Sequence, residues 1–334
     1  MTAITAIRRW RWNLSEGTRP MPLDASTAEL IEQMAASGRP PIWHHEPDQL
    51  RANGVQLIAM YGAGPDMHSA TERTLAAFDR GEFRVRTLLP RLDPMAVIVY
   101  YHGGGWVLGT IDEFDTLGRK LAAATGCAVV MVEYRKAPEH PYPAAVEDAW
   151  TALSWVEENL EAIAGQRVPI LVAGDSAGGN LAAVMALRAR DRNGPRLAMQ
   201  VLVYPATDCD LENPAYLAPE NQVLLHKESV EWFWGHYLPD VQRRNEPEAS
   251  PLRSESLVGL PPAVVLTAEY DPLRAEGEAY RDRLADAGVP VQHKRFDGQS
   301  HGFFTYVNVL PGSEEGIRFV ADAIARGLDE GTPR

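Results

Sequence analysis

The stretch that decides the fold is Pro169–Asp191, "PILVAGDSAGGNLAAVMALRARD". Its first five residues are apolar and largely branched, as in a strand covered on both faces. From Ala177 to Gly194 the pattern is helical, with a glycine where a helix C-cap is expected. Between them lies Gly174–Gly178, "GDSAG", a G-x-S-x-G pattern. A serine on a sharp turn between a strand and a helix is the arrangement of a nucleophile elbow. The flanking glycines let such a turn pass close to neighbouring chain. The helix N-terminus beside the serine favours negative charge developing there.

A second stretch, Gly298–Gly302, "GQSHG", fits the same pattern. From its histidine onward the chain reads "HGFFTYVNVLPG", which is aromatic and β-branched and does not open a helix. In a triad of this kind the chain order is Ser, then Asp or Glu, then His. No histidine comes after His301, and His301 is the immediate neighbour of Ser300, so their side chains diverge. The second stretch is therefore read for its histidine. His301, in a loop after the strand "VQHKRF" (Val291–Phe296), becomes the base for Ser176. The third member is Asp271, at the end of the strand run "AVVLTAEY" (Ala263–Tyr270) and followed by Pro272. Glu269 is the alternative, but its place inside the strand run suits structural pairing better. Upstream, "YYHGGGW" (Tyr100–Trp106) puts three glycines directly after a strand and before the elbow, which reads as an oxyanion loop. Ala177, just after the serine, adds a further amide. His102 precedes the serine in the chain and is expected to fix the loop by hydrogen bonding.

Outward from the elbow, apolar runs alternate with helical patterns. Further strand runs are Ala96–Tyr101, Ala128–Tyr134 and Met199–Tyr204, with helical patterns at 114–126, 143–165 and 274–288. "TERTLAAFDRGEFRVRTLLP" (71–90) reads as an antiparallel hairpin, 289–298 as a late strand and 313–328 as a closing helix. The alternation predicts an α/β fold with a mostly parallel sheet and right-handed crossovers. Two segments break the rhythm: residues 1–65, rich in Trp and Pro, and the insert 209–245, which carries Trp232, Phe233, Trp234 and Tyr237. Too apolar for a free loop, the insert is expected to pack as a lid over the sheet's C-terminal edge. The organisation expected is an N-terminal cap segment (1–65), an α/β core (66–208 and 246–334) and a cap insert (209–245).

Composition bounds the function. Apolar residues make up 45% and charged residues 23% of the 334, which suits a globular domain. A net charge of −13 argues against a nucleic-acid partner, because neutralising phosphates needs clustered Lys and Arg. Two cysteines, Cys127 and Cys209, give neither a disulfide framework nor a thiolate metal site. The pair His44–His45 lacks ligand spacing, and no metal or cofactor is expected. No secretory pattern and no bilayer-length apolar run is present, so a soluble cytoplasmic protein without stable membrane insertion is expected. The "RRWRW" cluster (Arg8–Trp12) is read as a surface or cap segment packing its tryptophans on the body.

In order, "HGGGW" (102–106), "EYRKAPEHPYPAAVEDA" (133–149), "GDSAGGNLAA" (174–183), "EYDPLRAEGEAY" (269–280) and "SHGF" (300–303) resemble the hormone-sensitive-lipase-like (family IV) carboxylesterases of the α/β-hydrolase superfamily. The resemblance implies an eight-stranded, mostly parallel sheet with a helical cap. It implies a serine carboxylesterase that acts on short- to medium-chain acyl esters through an acyl-enzyme. Ser176, Asp271 and His301 would be its triad, and Gly104, Gly105 and Ala177 its oxyanion hole, with Gly103 shaping the loop. Trp106 and Tyr204 are further candidates for the acyl pocket. Lys136 stands where the family usually has leucine. The partner implied is a small-molecule ester, with a homodimer left open. The alternatives are a small-molecule receptor on the same fold, which an intact histidine argues against, and an amidase or deacetylase using the same triad.

Overall fold

The computed structural model describes residues 23–330. The Arg8–Trp12 cluster and the first third of the 1–65 segment lie outside the described residues. Eight strands form one sheet: β1 (Ser69–Ala76), β2 (Glu82–Leu89), β3 (Val97–Tyr101), β4 (Ala128–Glu133), β5 (Ile170–Asp175), β6 (Leu197–Val203), β7 (Ala263–Tyr270) and β8 (Val291–Ser300). Their order is β1-β2-β4-β3-β5-β6-β7-β8. β2 is antiparallel to both β1 and β4, so the 71–90 hairpin is the sheet's antiparallel edge. The other neighbours pair in parallel.

Among the described residues, helices of eight residues or more are α1 (Ala25–Ala36), α2 (Gly54–Tyr61), α3 (Asp115–Thr125), α4 (Ala144–Glu158), α5 (Ala177–Asp191), α6 (Lys227–Tyr237), α7 (Arg274–Asp286) and α8 (Pro311–Glu330). Two apolar layers sandwich the sheet. One joins α4, α5 and α7 to strand residues such as Val99, Val130 and Val172. The other joins α3 and α8 to the alternate residues Ile98, Val129 and Leu171. This two-sided cover explains why β3, β4 and β5 read as unbroken apolar runs rather than alternating ones.

Chain order reverses direction between β3 and β5: the chain leaves β3 towards β4 on one side and β5 towards β6 on the other. The crevice outside the carboxyl ends of such a strand pair is where open α/β sheets bind ligands. The oxyanion-loop candidate comes directly after β3 and the elbow directly after β5, so both open into that crevice.

Two expectations need correcting. The 143–165 helix is two helices, α4 and a short Leu160–Ala164 turn, which meet at Asn159. Asn159 leaves helical geometry at φ −112° and returns its side chain to the Trp155 carbonyl. β8 does not end at Gly298 but runs on to Ser300. Ala268 pairs with Phe296 whereas Tyr270 pairs with Ser300, so β8 carries extra residues across a bulge. Gly298 sits in the bulge at φ +71°, and its N–H donates to the Glu269 carboxylate at 2.7 Å. The strand therefore continues through Gln299 and Ser300, past the glycine where it was expected to end.

The 209–245 insert holds α6, a short helix at Pro214–Leu217 and 3-10 turns. Trp234 and Tyr237 of α6 are buried in the same apolar layer as α4 and α5. No described helix is long and apolar enough to cross a membrane. Cys127 is buried, Cys209 is half-buried, and both are free thiols.

Candidate active site

β5 delivers Ser176 in a strained conformation, φ +54° and ψ −118°, just before α5. A non-glycine residue in that region costs of order 1–3 kcal/mol and persists only where its surroundings enforce it. Here they do. The Ser176 N–H donates to the Val203 carbonyl at 2.9 Å, and the Ser176 carbonyl accepts from Asn180 and Ala206 at 3.0 and 3.1 Å. A Cβ on Gly178 would lie 1.9 Å from the Tyr101 carbonyl oxygen, and one on Gly174 would lie 2.2 Å from the Gly178 oxygen. Only glycine fits either place, which is why the pattern has glycine at both ends.

β7 and β8 bring the other two groups to the same edge. His301 comes directly after the last residue of β8, and its Nε2 lies 3.0 Å from Ser176 Oγ. Its Nδ1 lies 2.8 Å from Asp271 Oδ2. A carboxylate oxygen accepts, so the proton sits on Nδ1 and leaves Nε2 to accept from the serine hydroxyl. Asp271 is fully buried, and its Oδ1 accepts the Leu273 N–H at 2.8 Å, which fixes the carboxylate. Glu269 faces the Gly298 amide instead. Ser300 is fully buried, and its hydroxyl finds no hydrogen-bond partner among the described residues.

The loop after β3 reaches the serine from the other side of the crevice. Gly104 and Gly105 adopt φ of +107° and +59°. No described acceptor takes the N–H of Gly104, Gly105 or Ala177. Gly103 is tied down: its N–H donates to Asp175 Oδ1 at 2.9 Å, which also accepts the Tyr100 hydroxyl at 2.7 Å. Burial pushes the Asp175 carboxyl up to about 6, although these two donors work in the opposite direction. Asp175 was missed in the sequence, where nothing distinguishes the second letter of the motif from a spacer.

His102 serves the loop. Its ring stacks on Tyr134 at 4.5 Å, its Nδ1 lies 2.7 Å from the Gly103 carbonyl, and its own carbonyl accepts the Tyr134 hydroxyl. Burial, and then the nearby Lys136, pull its pKa down to about 3, so the ring is neutral at ordinary pH. Lys136 is itself largely enclosed, 3.7 Å from Glu133, and burial lowers its pKa from the usual lysine range.

Trp106 and Tyr204 lie behind the site. Trp106 is 2% exposed and stacks on Tyr237 at 4.2 Å, with Trp234 at 4.9 Å. Tyr204 is 1% exposed, with its ring 4.7 Å from that of His301. The ring that does press on the loop after β3 is Phe233 of α6, since a Cβ on Gly105 would fall 2.1 Å from its Cδ1. The aromatic cluster around Phe233 was visible in the sequence, but not which ring would meet the glycine.

The family model described as alpha/beta hydrolase fold matches residues 98–305. The chain is similar to the carboxylesterase NlhH of Mycobacterium tuberculosis, 40% identical over 262 residues that cover 77% of this chain and 80% of the relative. It is also similar to an ethyl acetate hydrolase of Pseudomonas putida, 33% identical over 313 residues, 91% of this chain and 98% of that one. Among solved structures, the hyperthermophilic esterase of the archaeon Pyrobaculum calidifontis superposes with a TM-score of 0.86 at 37% identity, covering 92% of this chain and all of that one.

Proposed function

We propose that this chain, which belongs to the hormone-sensitive-lipase-like carboxylesterases of the α/β-hydrolase superfamily and is a carboxylic ester hydrolase, works by serine acyl transfer. The observation that carries the proposal is the unbroken relay from Ser176 Oγ through His301 to Asp271, at 3.0 and 2.8 Å. The Ser176 oxygen attacks the ester carbonyl as His301 Nε2 takes its proton. Asp271 holds the ring in the required tautomer and stabilises the imidazolium. The amides of Gly104, Gly105 and Ala177 receive the developing oxyanion, a contribution usually among the largest in such sites. The imidazolium then protonates the leaving alcohol. Water, deprotonated by the same ring, cleaves the acyl-serine and restores the hydroxyl.

Short to medium acyl chains are the preferred substrates in this reading. Two observations support it: Phe233 closes over Gly105, and a relative matched along nearly its whole length is named an ethyl acetate hydrolase. The cover over the site is assigned to the described part of the N-terminal segment, 23–65, and to 209–245, and the core to 66–208 and 246–330. Trp43 and His226, one from each covering segment, approach at 5.5 Å between ring centroids, which supports a joint cover. Ester hydrolase activity excludes the receptor alternative.

The test is a panel of p-nitrophenyl esters from acetyl to dodecanoyl with one anilide, assayed on the wild type and on Ser176→Ala. The expected result is kcat/KM highest for the shorter chains, little turnover of the anilide, and none of the panel cleaved by the variant. Ester turnover retained by Ser176→Ala would overturn the serine mechanism. A maximum at dodecanoyl would overturn the chain-length assignment alone.

A further inference from the structure

We propose that Arg51 is a positioning residue for the oxyanion loop, a strap from the N-terminal segment that sets the direction of the Gly104 and Gly105 amides. The inference rests on the oxyanion role given to those amides above. Arg51 ends a short helix, Pro47–Arg51, more than fifty residues before the loop it touches. Its Nε donates to the Val107 carbonyl at 2.9 Å, and its Nη2 to the Ala137 carbonyl at 2.7 Å. The remaining edge of the guanidinium is held by Glu139 at 2.7 and 2.9 Å and by Asp48 at 3.0 Å. One planar cation thus joins two backbone carbonyls from separate segments, and two carboxylates fix its plane.

Both carbonyls belong to pieces that carry the loop. The Ala137 N–H donates to the Trp106 carbonyl at 2.9 Å, so Arg51 grips Ala137 and Val107 on either side of an existing contact between them. Val107 and Leu108 donate in turn to the Gly104 carbonyl at 3.1 and 2.8 Å. The Gly104 carbonyl and the Gly105 N–H are two ends of one peptide plane, so what holds the oxygen aims the amide. On its near side the loop is fixed by core groups, Asp175 on the Gly103 amide and Tyr134 on the His102 carbonyl. On its far side Arg51 donates to the loop's own backbone at Val107. Two consecutive glycines at positive φ have wide conformational freedom, so the amide direction depends on anchors at both ends.

A misdirected oxyanion donor weakens binding of the transition state while leaving the ground state nearly untouched, which lowers kcat rather than raising KM. Lysine cannot take over. It is a point charge without the fork that spans two carbonyls and a carboxylate in one plane.

The experiment compares wild type, Arg51→Ala, Arg51→Lys and Glu139→Gln. Each is assayed with p-nitrophenyl butyrate, and each is titrated with an alkyl trifluoromethyl ketone. The ketone carbon forms a bond to Ser176 Oγ, the serine proton passes to His301, and the ketone oxygen becomes an oxyanion that needs the loop amides. For Arg51→Ala, kcat is expected to fall about tenfold with KM within about twofold, and ketone affinity to fall in proportion to kcat. Arg51→Lys should recover a minor part of both. Glu139→Gln, which keeps the two carbonyl contacts, should lose less than threefold, roughly the value of one exposed charge pair. Should Arg51→Ala not fold, the ranking of Arg51→Lys below Glu139→Gln in kcat and ketone affinity decides the matter. Folded Arg51 variants with wild-type ketone affinity would overturn the proposal and leave the serine mechanism standing. A wild type that does not bind the ketone, or a Ser176→Ala variant that binds it equally well, would instead overturn the serine reading on which the proposal rests.

Discussion

The two G-x-S-x-G stretches have the same letters and opposite surroundings. At Gly174–Gly178 the backbone of β3's last residue lies against the second glycine, and a side chain at either glycine would collide with backbone. At Gly298–Gly302 a Cβ on Gly302 would meet only the Tyr306 ring, at 3.5 Å, an ordinary contact. Ser176 is forced to φ +54° and faces His301, whereas Ser300 ends a strand with its hydroxyl buried and unpartnered. Each stretch also works through one carboxylate, Asp175 inside the first and Glu269 on the strand beside the second. Asp175 fixes the neighbouring oxyanion loop, and Glu269 fixes the bulge that sets up His301. The motif thus acquires meaning from what packs against its glycines.

The sharpest way to break this contrast is at the serines themselves. Ser176→Ala should lower kcat by at least about 10⁴-fold with unchanged thermal unfolding, because nucleophile and base act as a unit. Steady-state assay with p-nitrophenyl butyrate checks the first part and calorimetry the second.

Next in size is the pair of closing glycines. Gly178→Ala places a methyl 1.9 Å from the Tyr101 oxygen, in a fully enclosed region where neither backbone can withdraw. A loss of about 3 kcal/mol or more is expected, with kcat falling because the elbow must shift. Gly302→Ala makes only an ordinary contact with the Tyr306 ring but must hold φ +87°, so about 1–2 kcal/mol is expected from backbone strain. Urea unfolding of both variants tests the ranking. Equal losses would mean that conformation and not close approach makes the first motif.

The carboxylates give a pH test. Asp175 in the folded protein titrates at about 6, above the ordinary aspartate value of 3.8, because burial disfavours its charge. The native state therefore holds a proton that the unfolded chain has already lost between those two values. Stability falls as pH rises through that window, by about 1.4 kcal/mol per unit of separation at most. Asp175→Asn removes the slope. The stability of the wild type minus that of the variant should decline from pH 4 to pH 6.5 and then level off. Glu276 works in the same direction over a higher window. Burial raises its carboxyl to about 8, while it accepts from Thr207 and Asp208 just before the insert and from Tyr216 within it. For Glu276→Gln the same difference should keep declining up to about pH 8. Denaturant midpoints across pH separate the two, and a flat difference for either variant would remove that group from the argument.

How much of this was legible in the sequence depends on how local each feature is. β3, β4 and β5 could be read because a strand covered on both faces is apolar at every position. Chain order alone paired Ser176 with His301 and put Asp271 between them, and the geometry brings these three together. The last two residues of β8 could not be read, since a glycine looks like a strand end by composition and the strand runs past it where Glu269 of the neighbouring strand holds the Gly298 amide. Asp175, Arg51 and Phe233 touch the loop after β3 from places whose proximity is tertiary. No periodicity or spacing records that Arg51 reaches Val107.

The smallest expected effect is the one that isolates the second stretch. Ser300 is 0% exposed, and its Oγ has no partner, so its hydroxyl is desolvated without return. An unsatisfied buried hydroxyl costs of order 1–3 kcal/mol, and removing it leaves only an oxygen-sized gap. Ser300→Ala should therefore be neutral or stabilising by up to about 1 kcal/mol, with kcat and KM close to wild type. The backbone of Ser300 still pairs with Tyr270, which keeps His301 in place. Thermal unfolding and steady-state kinetics on the one variant check both parts. A large fall in kcat with unchanged stability would show that the serine beside the base has a role that its burial hides.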